Sequence, residues 1–196
     1  MQPPRNLSTA RLPTAWLWGA LVVLLLGSGW YLRAQGQPWW CDCGAWRPWS
    51  WEVKSSHNSQ HLVDPYSFTH VLHGLLLYGL LAWGAPWMAL RWRLSATIVV
   101  ETFWELLENS QFIIDRYRTT TIALGYEGDS VINSFGDLLC CVLGFVLAGR
   151  LGLWGSIVLC LATELILLLT IRDSLLLSTL SLIYPIEAIN AWQAGP

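Results

Sequence analysis

The chain has 196 residues, 54% of them hydrophobic and only 12% charged, with a formal net charge of −2. A soluble domain carries about 25% charged residues, so the composition places this chain among polytopic membrane proteins. Its 11 Lys and Arg residues are scattered rather than clustered, which argues against a nucleic-acid surface.

Crossing a bilayer takes about 20 mostly apolar residues in a helix. The first such segment, 13–32, follows Arg5 and Arg11. Gly27-Ser28-Gly29 resembles the small-residue end of a signal peptide, but the apolar run continues through Trp30, Tyr31 and Leu32, which favours a retained anchor. Residues 33–65 then form a loop holding Trp39, Trp40, Trp46, Trp49 and Trp51. Tryptophan favours the bilayer interface, so this loop is expected along the membrane surface or packed on the helix ends. It also carries Cys41-Asp42-Cys43, for which a local disulfide, an intermolecular bridge and thiolate metal ligation all stay open.

Four further spans are predicted over 66–83, 94–112, 129–149 and 153–171. The apolar stretch 175–184, broken by Pro185, is short for a span. The segment 174–196 therefore reads as interfacial or re-entrant, with a sixth helix as the alternative. The expected fold is all-α: a polytopic membrane helix bundle forming one integral-membrane domain, five spans plus a short C-terminal interfacial or sixth helix. One set of connections, with the N-terminus, holds Arg5, Arg11, Arg91, Arg93 and Arg150 and no acidic residue. Short Arg-only turns belong in the cytoplasm, which puts the N-terminus inside and the Trp-rich loop in the periplasm of an inner-membrane protein.

Polar residues recur at helical spacing within the spans: His70 and His73; Glu101, Glu105 and Glu108; Asp129, Asn133 and Asp137. Residues three or four apart share a helix face, so each set can point inward. At 1.5 Å per residue, His73, Glu105 and Glu164 fall about 10 Å, and Asp137 about 12 Å, below the periplasmic ends of their spans. Ionisable groups in hydrocarbon need a partner, a cavity or a metal. Imidazole and carboxylate together suit zinc, iron or manganese, so His70, His73, Glu105, Asp137 and Glu164 are the candidate ligands of a divalent metal, with Glu101 and Glu108 as candidate catalytic acid–base groups. His57 and His61 precede them, again four apart. Arg116 and Arg118 are candidate substrate-binding residues, since guanidinium pairs with a phosphate-bearing headgroup, or else with Asp115, Glu127 or Asp129.

Several runs are similar to one family: Ser56-His57-Asn58-Ser59-Gln60-His61; His70-Val71-Leu72-His73-Gly74; Trp104-Glu105-Leu106-Leu107-Glu108-Asn109; Ile114-Asp115-Arg116-Tyr117-Arg118; and Gly128-Asp129-Ser130-Val131-Ile132-Asn133-Ser134. Tyr184-Pro185 and Ala191-Trp192-Gln193 complete the pattern. They resemble small bacterial membrane proteins grouped as domain of unknown function 2585, or uncharacterised protein family 0314. The resemblance covers most of the chain after the first span; it implies a multi-pass inner-membrane protein and supplies no chemistry. Asp129, Asn133 and Gly136 are also loosely similar to VanZ-like proteins.

Three functions fit these residues. The first is a metal-assisted hydrolase or transferase acting on a lipid or lipid-linked substrate at a site in the periplasmic half of the bundle. The second is a non-catalytic assembly or resistance factor with a structural polar core. The third is an ion- or proton-binding transporter. The cytoplasmic halves of the spans are almost wholly apolar, which favours a dead-end cavity over a conduit.

Overall fold

The computed structural model describes residues 14–120 and 125–194. Arg5 and Arg11, on which part of the expected orientation rests, lie outside the described residues. Among the described residues seven helices follow in order: α1 Thr14–Ala34, α2 Ser67–Gly84, α3 Leu90–Glu108, α4 Gln111–Thr120, α5 Val131–Ile171, α6 Leu175–Ile183 and α7 Glu187–Ala194. Among the described residues there is no strand beyond a single bridge between Trp49 and Val63. The architecture is all-helical.

Two of these helices, over Ala15–Ala34 and Val131–Ile171, are long and apolar enough to cross a membrane. The second contains 41 residues and is broken at Gly152, whose φ of 66° interrupts the helical path. Its second arm runs back along the first. Leu159 and Cys160 pack against Leu72, Leu75 and Ala148, and Asp173, just beyond the arm's end, meets Tyr66 at the start of α2 (3.0 Å). Each arm is therefore about 30 Å long, the thickness of a hydrocarbon core. Both α1 and this second arm expose large apolar side chains, among them Trp16, Val23, Trp30, Trp154, Leu161 and Leu169.

The bundle is held together by close backbone approach. A Cβ added at Gly74 would lie 1.9 Å from the Cys141 carbonyl oxygen, and one at Gly144 would lie 2.0 Å from that of Val71. α2 and α5 thus touch through paired glycines, as membrane helices do where small residues let backbones meet. Tyr78 and Phe145 stack edge-on beside this contact (5.0 Å between centroids).

Helix ends explain where the sequence-based spans shift. α3 begins at Leu90, so Arg91 and Arg93 stand in its first turn rather than in a loop. It stops at Glu108 because Asn109 turns its side chain back onto the Glu105 carbonyl oxygen (3.0 Å), and a separate helix, α4, continues. α5 starts after Ser130, whose hydroxyl accepts from the Asn133 N–H. Asp129 consequently comes from the preceding loop, not from the helical face that carries Asn133 and Asp137.

α2 is entered through Asp64, whose carboxylate accepts from the backbone N–H groups of Ser59 (2.9 Å), Tyr66 (2.7 Å) and Ser67 (3.2 Å). Burial pushes this carboxyl up to about 6, although the three N–H donors favour its ionised form. A folded value above the ordinary one of about 3.9 means that the folded state holds the proton more tightly. The associated stability is full below about pH 4 and is lost as pH rises through 6. The protein in detergent should therefore unfold at a higher temperature at pH 5 than at pH 7, and Asp64→Asn should flatten that dependence whatever its effect on mean stability. An unchanged pH profile in the Asn variant would remove Asp64 as its source.

Candidate functional site

α2 and α3 each carry their polar residues one turn apart, and packing turns the two sets toward each other. His70 is the hub. Its Nδ1 lies 2.7 Å from Glu101 Oε1 and 3.3 Å from Glu105 Oε1, and its Nε2 lies 3.7 Å from Asp137 Oδ2. His73 Nδ1 reaches the same Glu101 oxygen at 3.0 Å. The two imidazoles meet edge-on at 4.9 Å, and Trp104 closes over His73. Glu101, Glu105, Asp137 and His70 are all 5% exposed or less, so water does not solvate these charges.

The charge balance is uneven. Glu101, Glu105, Glu108 and Asp137 gather around two imidazoles, and among the described residues no Lys or Arg pairs with them. Both carboxyl oxygens of Glu105 are buried without a hydrogen bond. A buried, unbonded carboxyl group is costly, and protons or a cation must supply the balance. The donor set suits a cation: ligand atoms of His70, His73 and Glu101 lie within 4.8 Å of one another, as do those of His70, Glu105 and Glu108. Mixed imidazole and carboxylate ligation is that of zinc, iron or manganese.

Beside this cluster lies a cavity of about 350 Å³. His70, His73, Glu108 and Asp137 line it together with the apolar side chains of Trp104, Ile113, Leu175, Leu182 and Ile183. Asn58 and Ser59 also line it, which places it at the end of the bundle covered by the Trp-rich loop. Tyr117 donates to Glu108 Oε1 (3.0 Å) at its edge. Tyr126 and Asn109 both donate to the Asp129 carboxylate (2.8 and 2.9 Å) and fix the loop before α5. Asp173 is held by Tyr66, Ser178 and Gln193, and burial pushes its carboxyl above the ordinary range against those donors.

Of the residues expected from sequence, His70, His73, Glu101, Glu105 and Asp137 come together in one network, with Glu108 beside them. Glu101, expected to act as a base, is the carboxylate shared by both imidazoles. Glu164 is not in either ligand group; its carboxylate accepts from the N–H groups of Leu175 (3.0 Å) and Leu176 (3.3 Å) and caps α6. The reason is positional: α6 begins against the returning arm of α5, and its unpaired N–H groups take the nearest anion. Arg116 donates to the carbonyls of Leu182 (2.8 Å) and Ile183 (3.2 Å), tying α4 to the end of α6. Arg118 donates to the Tyr126 carbonyl and lies 3.6 Å from Glu127. Neither guanidinium lines the cavity. Tyr117, Tyr126, Asn109 and Trp104 were not expected at the site; only Asn109, an asparagine at a helix end, carries a local signal for its role.

The fold and site together define a class: all-helical chains with apolar helices of bilayer length and a buried His/carboxylate cluster under a loop. The chain belongs to the family described as protein of unknown function (DUF2585), whose model matches residues 32–195. It is 48% identical over 182 residues to a UPF0314 protein of Sphingopyxis alaskensis, covering 93% of this chain and 96% of that one. It is 44% identical over 195 residues to a UPF0314 protein of Paracoccus denitrificans, covering 100% of both. The looser VanZ-like similarity is unsupported by these matches. No solved structure matches the chain.

Proposed function

We propose that this is a multi-pass inner-membrane protein of five spans whose His/carboxylate cluster works as a metal-assisted hydrolase or transferase on a lipid or lipid-linked substrate. The observation that carries the reading is the mixed lining of the cavity: imidazoles and carboxylates together with Trp104, Ile113, Leu175, Leu182 and Ile183. Such a cavity suits a molecule with a polar reacting group and an apolar body. His70, His73 and Glu101 would hold the metal, with Glu105 across His70 as a further anionic donor. A bound divalent metal polarises a phosphoryl or acyl oxygen and lowers the pKa of bound water. Glu108, oriented by Tyr117 at the cavity edge, takes up and returns the proton. The apolar lining seats the chain of the substrate and excludes water.

The test uses detergent-solubilised protein, a total inner-membrane lipid extract and Zn²⁺, Mn²⁺ or Fe²⁺. Wild type should generate a product visible by mass spectrometry, and Glu101→Gln should not. No wild-type-dependent product with any of the three metals would sink the enzymatic reading. A structural polar core is the second reading, favoured by the closed pairing of both imidazoles with Glu101; it fits less well with the unbonded oxygens of Glu105.

The orientation follows the Arg residues beside the connections, Arg91 and Arg93 at the start of α3 and Arg150 next to the break in α5, with the N-terminus cytoplasmic and the loop-covered end, where the cavity lies, facing the periplasm. Met88→Cys, between α2 and α3, should resist an impermeant thiol reagent added to intact cells and react after lysis. Labelling from outside that maps to position 88, as distinct from the exposed Cys43 of the loop, would invert the topology and open the cavity to the cytoplasm.

A further inference from the structure

The Trp-rich loop contains a second constellation, separate from the bundle core. Cys41, Cys43, His57 and His61 each turn a ligand atom into one small space, all within 4.8 Å of one another. The chain reverses just after the cysteines: the Gly44 N–H bonds the Cys41 carbonyl (3.2 Å), and Gly44 adopts the positive φ of 69° that this turn requires. His57 Nδ1 stands 3.3 Å from Cys41 Sγ and 3.5 Å from His61 Nε2. The His61 tautomer follows from its other nitrogen. Nδ1 lies 2.7 Å from the Arg47 carbonyl oxygen, which can only accept, so Nδ1 carries a proton and Nε2 is the nitrogen left for a metal. A neutral imidazole anchored through a backbone carbonyl, with the free nitrogen aimed at its neighbours, is how metal-binding histidines are held.

Two of the six ligand-to-ligand spacings compare directly with those around one ion. Tetrahedral zinc with bonds of about 2.3 Å to sulfur and about 2.05 Å to nitrogen sets S···N edges of about 3.6 Å and N···N edges of about 3.3 Å. The observed 3.3 and 3.5 Å lie within a few tenths of an ångström of those edges. Cys-x-Cys followed by His-x-x-x-His supplies two thiolates and two imidazoles, the closed ligand set of a structural zinc.

We propose that Cys41, Cys43, His57 and His61 bind a structural zinc ion that clips the periplasmic loop. Binding releases the two thiol protons and leaves a complex of zero net charge, at low desolvation cost beside a membrane. The clip has a target. The His61 carbonyl accepts from Asn133 Nδ2 (2.8 Å), and the Ser59 and Gln60 carbonyls accept from the backbone and side chain of Ser130. Asn58 and Ser59, between the two histidines, line the cavity. Zinc would therefore hold one wall of the candidate site in place from outside the bundle.

The test is cobalt substitution of the full-length protein, purified anaerobically in detergent and stripped of metal. Wild type should bind Co²⁺ with a sulfur-to-cobalt charge-transfer absorption and tetrahedral ligand-field bands. Cys41→Ser/Cys43→Ser should lose the charge-transfer absorption, and Glu101→Gln should keep it, because neither ligand group of the His/carboxylate cluster includes a cysteine. In wild type, the two cysteines should resist alkylation until a chelator is added, a readout that needs no variant to fold. Absence of the charge-transfer absorption in wild type would overturn the proposal. So would a Cys41–Cys43 disulfide in protein kept anaerobic throughout, or unprotected alkylation of the zinc-loaded protein. None of these outcomes bears on the His70–Glu101 cluster.

Discussion

Glu101→Gln should weaken metal binding at the His/carboxylate cluster by at least about 100-fold while the helices persist. Loss of a hydrogen bond to a ligand alone costs about 10- to 100-fold, and Glu101 is the only anion in the group with His70 and His73. The amide keeps the shape and loses the charge. Titration with Mn²⁺ is the suitable measurement, since carboxylates accept it and the softer loop thiolates do not favour it. Glu105→Gln separates the two overlapping ligand groups. If only Glu101→Gln loses affinity, the ion sits between His70, His73 and Glu101. If only Glu105→Gln does, it sits with His70, Glu105 and Glu108. Undiminished affinity in both variants would end the metal reading and leave a structural core.

Gly74→Ala should abolish the folded bundle, although alanine is the better helix former by about 1 kcal/mol. The added Cβ would stand 1.9 Å from the Cys141 carbonyl oxygen and 2.6 Å from the Phe145 N, both backbone atoms of α5. A flexible side chain could move aside; two helix backbones must separate. The penalty should exceed the roughly 1–3 kcal/mol typical of overpacking and outweigh the gain in propensity. Gly79→Ala is the matched control in α2, where nothing lies within 4 Å of the new methyl group. It should be neutral or slightly stabilising, as read by thermal unfolding in detergent. If Gly74→Ala unfolds no earlier than Gly79→Ala, the glycine contact does not hold α2 against α5.

The sequence by itself determined the all-helical architecture and the polar faces of α2 and α3. Long apolar runs favoured helices, in which backbone hydrogen bonds are satisfied within the segment. The spacing of His70 with His73, and of Glu101 with Glu105, placed each pair on one face before any packing was known. The tight turn expected at Arg150 falls at Gly152, and Pro185 follows the end of α6 as expected. The tertiary structure decided which groups meet. Glu164, expected from sequence at the depth of the cluster, sits on the returning arm of α5, where the free N–H groups of α6 claim its carboxylate. Asp129 fits the period of Asn133 and Asp137, yet Ser130 starts the helix after it and leaves it to Tyr126 and Asn109. Arg116 has the chemistry for a phosphate and is spent on carbonyls at the end of α6. The loop makes the same point. Cys-x-Cys and His-x-x-x-His are visible as separate pairs in the sequence, but only the turn at Gly44 and the anchor at Arg47 bring them to one point. Periodicity fixes the direction of a side chain relative to its own helix axis; rotation, crossing and loop closure fix what it faces, and those depend on contacts remote in sequence.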